Sequence, residues 1–194
     1  MPESENNSHE VENLIAAIII ILIGVCGLYG NGYAFVKFYS SQKGASFQKF
    51  CISHSVSNIG VLCFMICFTA PMIYTQNTDI SHSLLGKIIG QIAVLLWDVG
   101  VYSHLFVSFN RLLVIRFPFS GALLLSDKVT SCMVLTVWIM GTIHALPYFY
   151  CEINPSYDSQ CFLWFTPKHF TWEFGSTPCG EIVATWGDLY TGEN

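Results

Sequence analysis

The chain has 194 residues, of which 53% are hydrophobic and only 11% charged, and its formal net charge is -5. Soluble domains carry about a quarter charged residues, so a membrane protein is the first class to test and an ordinary water-soluble globule is disfavoured at once. Most of the acids fall on segments expected outside the membrane, so the negative balance points to no particular partner and implies no nucleic acid.

Residues 1–13 read as an outer tail that is acidic (Glu3, Glu5, Glu10, Glu12), and Leu14 to Val36 then contains no Asp, Glu, Lys or Arg. This apolar run is too long, and its flank too acidic, for a cleaved secretory signal, so it reads as a retained first helix. The triplet "NNS" at Asn6 is a glycosylation acceptor suited to the outer side. "SSQKGAS" breaks the pattern before a second charge-free window, Phe50 to Tyr74, whose Pro71 predicts a kink near the outer end. A short outer loop, "TQNTDISHS", leads into a third window, Ile88 to Ile115, which carries only Asp98 and Arg111. "FPFSG" ends that helix because Pro118 cannot continue it. Val129 to Tyr150 is the fourth window, again without charge, with Ser126 or Asp127 as its N-cap.

Each window reaches the roughly 20 residues needed to cross a hydrocarbon core of about 30 Å. Beyond a long outer segment bearing "TWEF", a fifth apolar stretch, "EIVATWGDLY", follows Cys179 but is interrupted by Glu181 and Asp188. It is too short and too polar for a full span. The expected fold is therefore an all-α, multi-pass transmembrane helix bundle. Its four clear spans cover about 14–38, 50–74, 86–116 and 128–150, with a partial fifth at 179–190. Either the fold has four spans or the chain is a fragment of something larger.

Basic residues set the orientation. With the N-terminus outside, Lys37, Lys43, Lys49, Arg111, Arg116 and Lys128 lie inside, six of the eight Lys and Arg residues, as the positive-inside rule prefers. Tyr74, Tyr148 and Tyr150 fall at outer ends, where aromatic rings favour the interface. Cys26, Cys63, Cys67 and Cys132 lie within helices and are expected to be packing residues, while Cys51 near the inner face is expected to be reduced. Cys151, Cys161 and Cys179 lie on the oxidising side, where three pairings are open and Cys151–Cys161 is the shortest. No cysteine or histidine spacing suggests a metal site, and no cofactor is implied.

Ionisable and amide side chains at membrane depth need a reason to be there. Asp98 sits mid-helix beside Trp97. Two readings are open for it: a ligand or ion contact shared with Trp97, or a structural carboxylate paired with Asn58, His54 or a serine. Arg111 lies 13 residues further on, about 20 Å along a helix, where its long side chain reaches the inner interface. Asn31 in "YGNGY" and Asn58 in "SVSN" are candidates for an interhelical polar pair, and Gly30 and Gly32 are expected to let the helices approach closely. His104 and His144 are expected to be structural.

Taken in order, "GNGY" with Asn31, Asn58, "FNRLLVIRFP", Trp138 and Pro147 resemble landmarks of the rhodopsin-like seven-helix receptors. "YSHLFVSFNRLLVIRFP" and "FTWEFGSTPCGEI…GDLY" resemble, more specifically, the nematode serpentine receptors of class x, over about Asn13 to Tyr190. The resemblance implies a G-protein-coupled chemosensory receptor with a small-molecule or peptide ligand, a heterotrimeric G protein as partner, and a multi-pass site in the plasma membrane. Asn110 and Arg111 then form the inner-face motif, and Trp138 and Pro147 are structural residues of helix four. There are departures. Asn110 stands where an acid is usual, Asn58 where an aspartate is usual, and Gly86 near the expected top of helix three where a cysteine is usual. A bridge within the outer loop, Cys151 to Cys161, is the substitute this implies. Helices six and seven are not in the sequence, so it reads as a truncated receptor whose signalling on its own is in question.

A four-span membrane scaffold or adhesion protein is the alternative; it would keep a short basic inner C-terminus or a cysteine-rich large outer loop, and neither is evident. A channel or transporter subunit would carry polar residues along one stripe of several helices, whereas here they are scattered. An enzyme is not expected, since no nucleophile elbow, metal-ligand spacing or phosphate loop is present.

Overall fold

The computed structural model describes residues 2–41, 46–77, 79–80, 83–117, 126–150 and 163–174. Helix α1 runs from Pro2 to Ser40 and ends with Lys37 in its last turn. Residues expected as a tail thus continue the first helix back to Pro2, a residue tolerated at a helix start because its missing N–H has no intrahelical partner there.

Helix α2, Ser46–Phe64, passes into a π-helical segment, Met65–Thr69, and then into α3, Ala70–Thr75. Pro71 explains the change of pitch. Its ring would collide with the carbonyl one turn earlier, and the widened π turn, in which Ala70 N–H bonds to Met65 O, gives it room. Where a kink was expected, the helix shows this π segment. The span closes at Gln76, whose left-handed backbone (φ 51°) lets its N–H bond to Met72 O.

Helix α4, Leu84–Arg116, and helix α5, Asp127–Tyr150, complete the helical part. Asp127 in the first turn of α5 and Arg116 in the last turn of α4 both suit the helix dipole. Four stretches are long and apolar enough to cross a bilayer: Glu10–Ser40, Phe47–Thr75, Leu85–Arg116 and Asp127–Leu146. The large apolar residues they leave exposed include Ile23 (64%), Leu105 (61%) and Leu135 (59%). Apolar surface on this scale is solvated by lipid rather than water, and the chain is a multi-pass membrane protein.

A small β-hairpin departs from the expected all-helical pattern. Strand β1, Leu163–Thr166, pairs antiparallel with β2, Thr171–Phe174, with Leu163 opposite Phe174 and Thr166 opposite Thr171. Its turn places Phe170 in the left-handed region (φ 52°). The expected fifth apolar stretch, 179–190, lies outside the described residues, as do Cys151 and Cys161.

The chain divides into two compact units. One comprises Met1–Leu22, Phe64–Val94 and Ala145–Asn194. Its core gathers Ala17, Phe68, Ala70, Met72, Ile73 and Phe165, and Trp172 packs tilted against Phe64 and stacked on Phe68, at 5.3 and 6.5 Å between ring centroids. The Gln76 side chain donates to Ile73 O at 2.7 Å and Pro167 O at 3.4 Å, so the hairpin is tied to the end of α3.

The other unit comprises Ile23–Cys63 and Leu95–His144. Close helix approach occurs at Gly27 against Leu62, Gly60 against Leu96 and Gly141 against Val99, where an added Cβ would lie 2.9, 2.6 and 2.8 Å from the neighbour. Gly30 and Gly32, expected to serve that purpose, have nothing within 4 Å of a Cβ. They lie one residue either side of Asn31 and so about 100° around the helix from it, away from the seam. Cys26, Cys63, Cys67 and Cys132, expected to pack in the interior, are free thiols on exposed helix surface.

Candidate functional site

Three polar groups stand out in the unit that contains Asn31, Asp98 and Arg111. The first joins α1 to α2. Asn31 Nδ2 donates to Gly27 O at 2.9 Å within α1, and Asn58 Nδ2 donates to Asn31 Oδ1 at 3.1 Å across the helices. One turn back on α2, His54 Nε2 lies 3.0 Å from the same Asn58 nitrogen, and the His54 ring meets His104 of α4 edge to face at 4.3 Å. The spacing of four residues in Gly27–Asn31 and His54–Asn58 stacks each pair on one helix face. The predicted interhelical partners, Asn31 and Asn58, are brought together.

The second group joins α4 to α5. Asp98 and Tyr102, again four apart, face His144: Asp98 Oδ2 is 4.0 Å from His144 Nδ1, and Tyr102 Oη is 2.8 Å from the same nitrogen. Asp98 is mostly covered, its side chain 22% exposed, so a carboxylate in the span has polar neighbours rather than lipid. The neighbour is His144, not the Asn58, His54 or serine expected for the structural reading. Trp97, the next residue round the helix, points outward at 64% exposure. The two candidate ligand residues therefore lie on different sides of α4.

The third group lies at the Arg111 end of α4. Asn110 is 5% exposed, and its side-chain oxygen has no hydrogen-bond partner among the described residues. Arg111 is exposed and holds its guanidinium 5.4 Å over the Phe47 ring. Beside it, Lys49 Nζ pairs with Asp127 Oδ1 at 2.7 Å and donates to Ser131 Oγ at 2.7 Å, binding α2 to the first turn of α5. One turn further, Trp138 Nε1 donates to Ser53 Oγ at 2.9 Å. Pro147 lies within α5 and Asn6 within α1.

Sequence reasoning did not foresee Lys49–Asp127, Ser53–Trp138, Tyr102–His144 or His54–His104. The signal was present in "SHSVSN" (53–58), where hydroxyl, imidazole and amide groups recur inside an otherwise apolar span and must each find a partner across helices. Among the described residues no three His, Cys, Asp or Glu side chains are placed to hold a metal. The arrangement offers hydrogen-bond and charge complementarity between helices, and an exposed cation at one end, which suits recognition and conformational coupling.

The sequence profile of the "serpentine type 7TM GPCR chemoreceptor Srx" family matches residues 21–192. Among curated proteins the chain is similar to melanopsin of Branchiostoma belcheri, 25% identical over 79% of this chain and 22% of the relative. It is similar to cysteinyl leukotriene receptor 1 of Cavia porcellus, 22% identical over 84% of this chain and 50% of the relative. It is similar also to serpentine receptor class X 45 of Caenorhabditis elegans, 19% identical over 94% of this chain and 49% of the relative. The chain thus spans half or less of the length of these relatives.

Proposed function

The chain belongs to the serpentine type 7TM GPCR chemoreceptor Srx family, and from that premise we propose that it serves as a G-protein-coupled chemosensory receptor chain in the plasma membrane. Its N-terminus faces outward and its Arg111 end faces the cytosol. Families of this kind are receptors rather than enzymes, and the bilayer is the chain's immediate partner. The finer partners, a heterotrimeric G protein and a small-molecule or peptide ligand, are part of the proposal.

Arg111 carries the reading. It is exposed at the end of a spanning helix, no carboxylate pairs with it among the described residues, and its guanidinium lies over the ring of Phe47. The usual acid beside it is replaced by Asn110, which is buried. An arginine so presented can dock against a carbonyl-rich or acidic partner surface on the cytosolic side. On the ligand side, Asp98 with Tyr102 and His144 is the polar contact we assign, Trp97 being turned to the apolar surface. Asn31, Asn58, Trp138 and Pro147 are assigned structural roles, Asn6 glycosylation, and Cys151–Cys161 the outer disulfide.

The test is recruitment of heterotrimeric G protein to cells expressing the chain, read by resonance energy transfer with and without Arg111→Ala. Recruitment that Arg111→Ala reduces tenfold or more supports the proposal. Recruitment indifferent to Arg111, or none in any G-protein class, overturns it.

A further inference from the structure

The His54–His104 contact has a property that follows from the hydrogen bonds behind it. The Gly27 carbonyl can only accept, so the Asn31 atom 2.9 Å away must be its nitrogen, and the Asn31 oxygen is left to accept. Asn58 must therefore present its own nitrogen to that oxygen at 3.1 Å. That same nitrogen lies 3.0 Å from His54 Nε2. A donor facing Nε2 requires a lone pair there, so neutral His54 carries its proton on Nδ1. A backbone carbonyl on α1 thus sets the tautomer of a histidine on α2, through two amides that cannot flip without losing a bond.

His54 Nδ1 is buried and has no hydrogen-bond partner among the described residues. Toward His104, His54 can present only a ring face or an N–H, never a free lone pair. A proton added to His54 at Nε2 would set donor against donor at Asn58. A proton added to His104, which is exposed, would set a cation 4.3 Å from a ring that has no free lone pair to receive it. Two imidazolium rings at that separation cannot both persist in a membrane span.

The other titratable and charged groups around this pair are engaged elsewhere. From α4, Asp98 faces His144 and Arg111 lies over Phe47. From α5, Asp127 pairs with Lys49 of α2, and Trp138 presents its N–H to Ser53. From α1, uncharged Asn31 faces α2, and Lys37 lies over Tyr33. On α2 itself Cys51 is the remaining titratable neighbour, one turn from His54.

We propose that His54 and His104 form an acid-sensitive latch between α2 and α4, in which the Gly27–Asn31–Asn58 relay fixes His54 as the Nδ1–H tautomer and His104 is the proton acceptor. At neutral pH the rings pack edge to face. When His104 takes a proton the contact parts, and the α2–α4 seam that also holds Gly60–Leu96 and Phe50–Phe106 loosens. The stability contributed by the latch is present while both rings are neutral and is lost when acid adds a proton to His104. The proposal stands on this contact alone and does not depend on G-protein coupling.

The experiment uses the full chain in detergent micelles or nanodiscs, with 15N-histidine spectra and thermal unfolding between about pH 7.5 and 5.5, a range that brackets histidine titration. One neutral Nδ1–H signal for His54 throughout is expected, with His104 taking the proton and the melting temperature falling by roughly 2–4 °C. His104→Phe keeps a ring against His54 and should abolish that fall, whereas His144→Phe should retain it. If His104→Phe unfolds, the wild-type spectra decide by themselves. An Nε2–H tautomer at His54, protonation of His54 before His104, or a pH step that survives His104→Phe overturns the proposal.

Discussion

Gly141 on α5 offers the sharpest test of how the helices meet. A methyl group there would lie 2.8 Å from Val99 Cγ2, 3.3 Å from the Leu95 carbonyl oxygen and 3.4 Å from the Val99 nitrogen. Ordinary carbon–carbon contact is about 3.5–4.0 Å. Val99 is fully buried and β-branched, so it has few rotamers with which to yield, and the other two neighbours are α4 backbone. Gly141→Ala should therefore push α4 and α5 apart locally at an overpacking cost of about 1–3 kcal/mol. The better helix propensity of alanine offsets up to about 1 kcal/mol of this. With the full offset a net loss of about 0–2 kcal/mol remains, a fall in melting temperature of up to roughly 8 °C for a chain of this size, and the gap to a glycine-to-alanine change in open space is the whole overpacking cost. Gly30→Ala is the matched control, because nothing lies within 4 Å of its added methyl. Thermal unfolding in detergent, followed by helical circular dichroism, reads both. If Gly141→Ala melts at or above Gly30→Ala, the packing of α4 against α5 described here is wrong.

Replacing Asn31 and Asn58 singly and together by Ala should give a coupling of roughly 0.6 kcal/mol, the average for polar pairs in membrane helices, measured by a double-mutant unfolding cycle. Trp138→Phe and Ser53→Ala should each cost about 1 kcal/mol and be non-additive, since either removes the same 2.9 Å hydrogen bond. Lys49–Asp127 is partly exposed on the lysine side and largely exposed on the aspartate side, so Asp127→Asn should cost under about 1 kcal/mol, and the loss should shrink as salt is raised.

The four spans were legible because charge is absent from windows long enough for a bilayer, a property of composition and order alone. Asn31 with Asn58 was legible too, since an amide in an apolar helix seeks another amide. Facing was not. These helices are apolar nearly all round, so the sequence gives no amphipathic stripe to say that Gly27 rather than Gly30 meets α2, or that Asp98 turns to His144 while Trp97 turns outward. The cysteines were placed inside for the same reason, from their usual habit rather than from any phase in the pattern. Pro71 announced a disturbance, but a π turn and a kink relieve the same clash and differ only in how the neighbouring packing settles. The hairpin had a weak local signal in "LWFTPKHFTWEF" (163–174), β-prone runs flanking a proline-bearing turn. What holds it is contact with Phe64, Phe68 and Gln76, far away in sequence.

Orientation in the bilayer is the claim on which the placement of Arg111 depends, and epitope tags read it directly in intact and permeabilised cells. A tag before Met1 should bind antibody on intact cells, and a tag in the 117–126 connection only after permeabilisation. A connection tag reached from outside, or an N-terminal tag hidden until the membrane is opened, would contradict the account.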